Sequence, residues 1–200
     1  MAFLRGINVG RAKRVSMADL RALVESLGYT DVRTHLNSGN VVFTLSKGGA
    51  ADAAARIEEA MSHELGVSTR VTVLTAAEVK QAVARNPLGN VGTEPSRLHV
   101  AVLARPEDRG KLRELVKQDW KPEAFALGTR VAYLWCPAGV IKSRVANAVN
   151  RALGDDVTAR NWRTMTRLVT LLLLVLLLGV GERFMRSGIV SSLPCACPSR

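Results

Sequence analysis

The fold is decided by Asp31-Val32-Arg33-Thr34-His35-Leu36-Asn37-Ser38-Gly39-Asn40-Val41-Val42-Phe43-Thr44-Leu45. Two β-prone runs, 31–36 and 41–45, flank a turn whose Ser-Gly centre supplies the positive φ that a tight connection requires. This is a hairpin signal, and the elements on either side of it determine its context. Upstream, residues 2–9 alternate apolar and polar side chains as a strand, and a helix follows. Ser16 is a good N-cap for that helix, Asp19 sits in its first turn, and Gly28 stops it. Downstream, Gly48 and Gly49 precede a helix over 51–65 with Ile57, Ala60, Met61 and Leu65 inward, and 70–74 is a short β-branched strand. The order is β-α-β-β-α-β.

The plan then repeats. Residues 75–85 add a helix, and 86–96, with Pro87 and Pro95, link to a second copy. That copy has a strand over 99–103, a helix over 107–120, a hairpin of 123–126 and 130–135, a helix over 141–153 and a strand over 157–159. A further helix begins near Asn161. The expected fold class is α+β, with two ferredoxin-like (βαββαβ) halves each followed by a helix. The expected division is 1–86, 96–167 and an atypical leucine-rich segment over 168–200.

Composition narrows the function. The 200 residues are 48% hydrophobic and 22% charged, which excludes a disordered or collagen-like chain. Three cysteines, two of them Cys195 and Cys197, exclude a disulfide scaffold and fit a reducing compartment, so the expected location is cytoplasmic. The net charge is +11, of which +9 belongs to residues 1–167, where 25 Lys and Arg face 16 Asp and Glu. A basic field of that kind favours phosphorylated ligands, polyanions or an anionic membrane surface, unless the arginines serve only as solubilising surface.

No phosphate-binding loop of the Gly-x-x-x-x-Gly-Lys type and no Gly-x-Gly-x-x-Gly turn is present. His35, His63 and His99 lack metal-ligand spacing, so neither a metal nor a cofactor is implied. Aromatics are 4% of the chain, and Phe3 and Phe43 on the central strands read as core, which argues against a stacking surface for single-stranded RNA. Ser38, Ser143, Thr164 and Cys136 are conceivable nucleophiles, but no general base stands beside them in any motif.

Three polar groups at strand ends remain. Arg5 and Asn8 interrupt a strand that otherwise reads as buried, and a buried guanidinium needs a carboxylate, phosphate or carbonyl partner. Asn37, Ser38 and Asn40 make the hairpin turn rich in donors. Thr158, Arg160 and Asn161 join the last strand to the last helix, with Thr158 or Asn161 able to cap it. Arg5, Asn8, Asn37, Ser38, Asn40, Arg160 and Asn161 are therefore the candidate ligand-binding residues, for an anionic group such as the phosphate of a nucleotide or nucleic acid. A structural alternative is that Arg5 and Arg160 hold the two halves together through backbone carbonyls and a carboxylate.

Four blocks carry a resemblance. Leu4-Arg5-Gly6-Ile7-Asn8-Val9-Gly10, 37–43, 137–143, and Thr158-Ala159-Arg160-Asn161-Trp162 with Thr164 resemble the signature blocks of the bacterial domain-of-unknown-function family 1697. The likeness runs from Ala2 to about Arg167. It implies an α+β fold with ferredoxin-like halves and brings no assigned activity. Asn37 stands where the family usually has Gln. The resemblance also implies that the chain should end soon after a short helix following Thr164.

Instead the chain continues through an uncharged run from Leu168 to Gly181, polar only at Thr170. Fourteen residues are short for a membrane span, and arginines flank both ends. The run reads as a final core helix drifted or frame-shifted into leucine, as a membrane anchor with Cys195 and Cys197 as possible acylation sites, or as an oligomerisation helix. The anchor would make the protein membrane-associated. The oligomeric state is not legible in the sequence.

Overall fold

The computed structural model describes residues 1–9, 14–45, 47–92 and 94–186, with 176–186 as helix backbone. Cys195, Cys197 and residues 10–13 lie outside the described residues. In chain order the first half comprises β1 (Ala2–Leu4), α1 (Met17–Ser26), β2 (Thr30–His35), β3 (Asn40–Thr44), α2 (Ala50–Leu65) and β4 (Val71–Val73). Then come α3 (Ala76–Ala84), β5 (Leu98–Leu103), a 3-10 segment (Pro106–Lys117), β6 (Ala124–Leu127), β7 (Val131–Trp135) and α4 (Arg144–Leu153). The chain finishes with β8 (Val157–Asn161) and α5 (Trp162–Arg186). Two four-stranded antiparallel sheets result, ordered β2-β3-β1-β4 and β6-β7-β5-β8, so the molecule is α+β and the same strand order is built twice.

The period of two along each strand sorts side chains between cores. Val41 and Phe43 face α1 and α2 together with Leu20, Val24, Ile57 and Met61, whereas Val42 and Phe3 face the other way. In the second sheet Ala101, Leu103, Ala132 and Leu134 pack beneath α4, and Val100, Val102, Val131 and Tyr133 point to the opposite side. The two remaining sheet faces meet in a shared central core completed by Val79 and Ala82 of α3 and by Met165, Leu168, Leu172 and Val175 of α5. That spacing of three, four and three residues is one helical stripe. The start of the leucine run is thus a core helix, and α5 passes Leu168 without a break. Among the described residues no helix is long and apolar enough to cross a membrane.

Three local expectations are corrected. The first strand ends at Leu4 rather than Val9, because the chain turns at Gly6 (φ 65°) and Asn8 (φ 56°), so Asn8 interrupts no strand. Residues 107–120 do not form an α-helix. Pro106–Lys117 winds as a 3-10 segment around Gly110, in a run dominated by charged side chains with little apolar face to bury. The last strand extends to Asn161 instead of stopping at Ala159, and this places Arg160 inside the ladder opposite Val100.

Candidate functional site

The tight turn makes the junction possible. Gly39 has φ 73°, and a Cβ there would stand 2.7 Å from Cδ1 of Ile7 and 2.8 Å from Cβ of Leu4. Only glycine lets the turn lie against the end of β1, where Leu4 N–H donates to the Gly39 carbonyl at 2.8 Å. Three carbonyls, those of Leu4, Ser38 and Gly39, consequently converge on one point.

Arg160 fills that point from the other half. Its Nη2 donates to Leu4 O (2.8 Å), Ser38 O (2.9 Å) and Gly39 O (3.3 Å), and its Nε donates to Oδ1 of Asn40 at 2.6 Å. Its Nη1 donates to Oγ1 of Thr158 (2.8 Å) and to Ala159 O (2.9 Å). The five N–H donors of a guanidinium are all met by protein oxygens. The group is 8% exposed, lies 5.7 Å from the Phe3 ring centroid, and has no carboxylate within ion-pair distance among the described residues. Burial lowers its pKa to about 10, so it remains a cation at neutral pH.

Asn40 is fully buried, and its Nδ2 donates to His35 O (2.8 Å) and to Oγ of Ser38 (3.1 Å). Asn8 acts as a substitute for backbone. Its Oδ1 accepts from Val15 N–H, while its Nδ2 donates to Val15 O (2.9 Å) and to Asn37 O (2.8 Å). The left-handed φ of Asn8 is one that asparagine tolerates better than most residues. Asn161 caps α5, accepting from Thr164 N–H at 2.8 Å and from the Thr164 hydroxyl at 2.7 Å. Asn8, Asn40 and Arg160 therefore meet the Asn37 carbonyl and the Ser38 hydroxyl in one polar cluster. The side-chain donors of Asn8, Asn40 and Arg160 are occupied internally, whereas Asn37 and Ser38 are exposed and, among the described residues, their side chains donate no hydrogen bond.

Arg5 points elsewhere. Its Nη1 donates to Val157 O, and its Nε donates to Oδ1 of Asp155 at 3.2 Å. The Asp155 side chain is 79% exposed. Arg5 and Arg160 thus cross between the halves in opposite directions, Arg5 reaching the Val157 carbonyl and Asp155, and Arg160 reaching the carbonyls of Leu4, Ser38 and Gly39. Beside Arg5 opens a cleft of about 250 Å³, lined by Arg5, Gly6, Ser68, Thr69, Arg70 and Asp155. Thr69 Oγ1 donates to Arg5 O at 2.7 Å and fixes the backbone there. Arg70 bridges Glu58 (3.3 Å) and Asp156 (3.6 Å), a second ionic link between halves. Ser68, Thr69, Arg70 and the two aspartates had no sequence signal, because their proximity to Arg5 exists only once β4 pairs with β1 and the two halves dock.

The conceivable nucleophiles are also engaged. Cys136 Sγ donates to Oγ of Ser143 at 3.3 Å, and Ser143 Oγ donates to Oε2 of Glu123 at 3.0 Å. Glu123 in addition accepts from the Arg144 and Val145 N–H groups at 3.0 and 2.8 Å, so it closes the N-terminus of α4. Ser143 and Cys136 are fully buried, and burial pushes the Cys136 thiol up. Among the described residues no group of three His, Cys, Asp or Glu side chains is placed to hold a metal ion.

No curated protein matches the chain. Among solved structures, the conserved bacterial protein SP0830 from Streptococcus pneumoniae superposes with a TM-score of 0.70 at 20% identity, covering 84% of this chain and 95% of its own. That likeness is one of fold. The family match ends at residue 133, so the blocks at 37–43 and around Arg5 fall inside it, while those at 137–143 and 158–164 lie beyond. Over residues 1–133 the sequence matches the family described as Protein of unknown function (DUF1697), and the chain belongs to that family.

Proposed function

We propose that the protein is a ligand-binding module for an anionic, phosphate-bearing group such as a nucleotide or nucleic acid, taken at the junction between two ferredoxin-like halves, 1–86 and 96–167. The observation that carries this reading is the cleft in which Arg5 and Arg70 stand together with Ser68 and Thr69. Arg5 is the one candidate residue with a guanidinium beside open space. The Asp155 carboxylate on it is largely exposed, and an exposed pair of that kind holds only about 0–1 kcal/mol. A phosphate oxygen would displace Asp155 and accept from Arg5, because arginine binds phosphate in the same forked geometry as carboxylate.

In this reading Asn8, Asn37, Ser38, Asn40, Arg160 and Asn161 are positioning residues. Arg160 clamps the carbonyl of Leu4, the residue immediately before Arg5, and so sets where the Arg5 backbone leaves β1. The test is calorimetric titration of ATP and of a single-stranded oligonucleotide into the wild type and Arg5→Gln at low salt. Binding weakened about tenfold in the variant, with a cooperative thermal melt retained, is the expected result. Absence of binding to the wild type, or equal binding by the variant, overturns the proposal.

A further inference from the structure

A second surface carries a separate inference. Helix α4 buries Val145, Ala148, Val149 and Leu153, which leaves Arg144, Asn147 and Arg151 on its outer face. Between that face and the end of the 3-10 segment lies a groove of about 580 Å³, walled on the far side by Gln118 and Trp120. No acidic side chain lines it. Among the described residues neither Arg144 nor Arg151 has a carboxylate within 4 Å, and the side chains of Arg144, Asn147, Arg151 and Gln118 donate no intramolecular hydrogen bond. Arg160, whose every donor is met by the protein, is the opposite case in the same molecule.

We propose that this groove binds the backbone of a single-stranded nucleic acid, with one phosphate on Arg144 and another on Arg151. The site is independent of the Arg5 cleft. Arg144 and Arg151 are seven residues apart, two turns of one helix, which separates their Cα atoms by about 10 Å along the axis. A flexible strand lying along the groove offers each guanidinium its own phosphate. Arg144 is held before the ligand arrives, its guanidinium 5.8 Å from the Trp120 ring centroid, and Trp120 is fixed by its Nε1 donating to Leu115 O at 2.8 Å. Preorganisation of this kind lowers the ordering cost of binding.

Glu123 already occupies the N-terminus of α4, so an anion is directed to the side of the helix rather than to its end. Trp120 is 8% exposed and offers no face to a base, so the contact is to phosphates and carries no sequence preference.

Fluorescence anisotropy of a labelled oligothymidylate on the full chain tests the proposal, with Arg144→Gln/Arg151→Gln, Arg33→Gln/Lys47→Gln and Arg5→Gln as comparisons. The first pair removes the groove cations. The second removes the same charge from the other half of the molecule. The expected result is about tenfold weaker binding for the first pair, with the slope of log K against log salt falling by about 1.4 between about 50 and 200 mM, as two released counterions require. Less than about twofold change is expected for the second pair, and Arg5→Gln should retain the groove contribution. Unchanged binding or salt slope in the groove variant, equal loss in the Arg33/Lys47 control, or no binding by the wild type each overturns the proposal. Because all these positions but Arg5 are exposed, thermal melts of the groove and control variants should coincide with that of the wild type.

Discussion

Arg160 Nη2 donates to the Leu4 carbonyl at 2.8 Å, so the penultimate residue of the last strand holds the final residue of the first. The bond joins the two halves across the sequence span of the whole folded core. Around it the guanidinium is buried and fully bonded, and its charge is carried by carbonyl dipoles rather than by a carboxylate.

Removing that group leaves buried acceptors without donors. Arg160→Ala should destabilise the fold by about 3–5 kcal/mol in urea denaturation, as breaking a buried charged network does. Arg160→Lys keeps the charge but cannot reach Asn40, Thr158 and Leu4 together, so it should recover less than half of the loss.

Gly39→Ala should be as severe as its small size is misleading. The added methyl meets Leu4 and Ile7 below 3.0 Å, at a backbone angle that L residues rarely adopt. About 2–4 kcal/mol of stability should be lost, read from the denaturant midpoint, and Gly48→Ala, whose added Cβ would come no closer than 3.7 Å to Asp52, should lose less.

Asp155→Asn tests the Arg5 cleft from the other side. The exposed carboxylate competes with an incoming anion, so its removal should tighten ATP binding several-fold while changing stability by no more than about 0.5 kcal/mol. Calorimetry with a parallel thermal melt separates the two effects.

His99 gives a pH signature. Burial is the main reason its pKa is lowered from 6.5, with Arg97 adding to the effect against an opposing hydrogen bond at Ser96. The unfolded chain then binds the proton more readily than the folded one. The stability from neutral His99 is full above about pH 6.5 and is lost as pH falls below it toward the folded pKa. His99→Gln should reduce the slope of stability against pH in that window, where the buried Met1 amine, lowered from 8.0 to about 5, contributes in the same direction. An unchanged slope would assign the dependence to that amine or to His35, whose pKa burial also lowers.

Val175 is the last described side chain of the core stripe on α5. Truncation after Arg167 removes Leu168, Leu172 and Val175 from the central core, each worth about 1.5–3 kcal/mol, and should abolish cooperative unfolding. Truncation after Val175 retains all three and should leave a cooperative transition.

Sequence by itself determined the element order, because periods of two and of three to four residues, caps such as Ser16 and breakers such as Gly28 are local properties. It also marked Arg5 as a guanidinium in need of a partner, since burying such a group alone is costly, and singled out Asn8, Asn40 and Arg160 as polar residues at strand ends. What each partner is was decided only by tertiary structure. The carbonyls of Leu4, Ser38 and Gly39 are chemically identical to every other carbonyl in the chain, and only the docking of two sheets brings them to Arg160. The separation of Arg5 from Arg160, the open cleft with Arg70 and the acid-free groove beside α4 arise in the same way, from contacts between residues up to 156 positions apart. The leucine run likewise has no local mark of which residues are buried, and the stripe Met165, Leu168, Leu172, Val175 is selected by the two sheet faces that α5 covers.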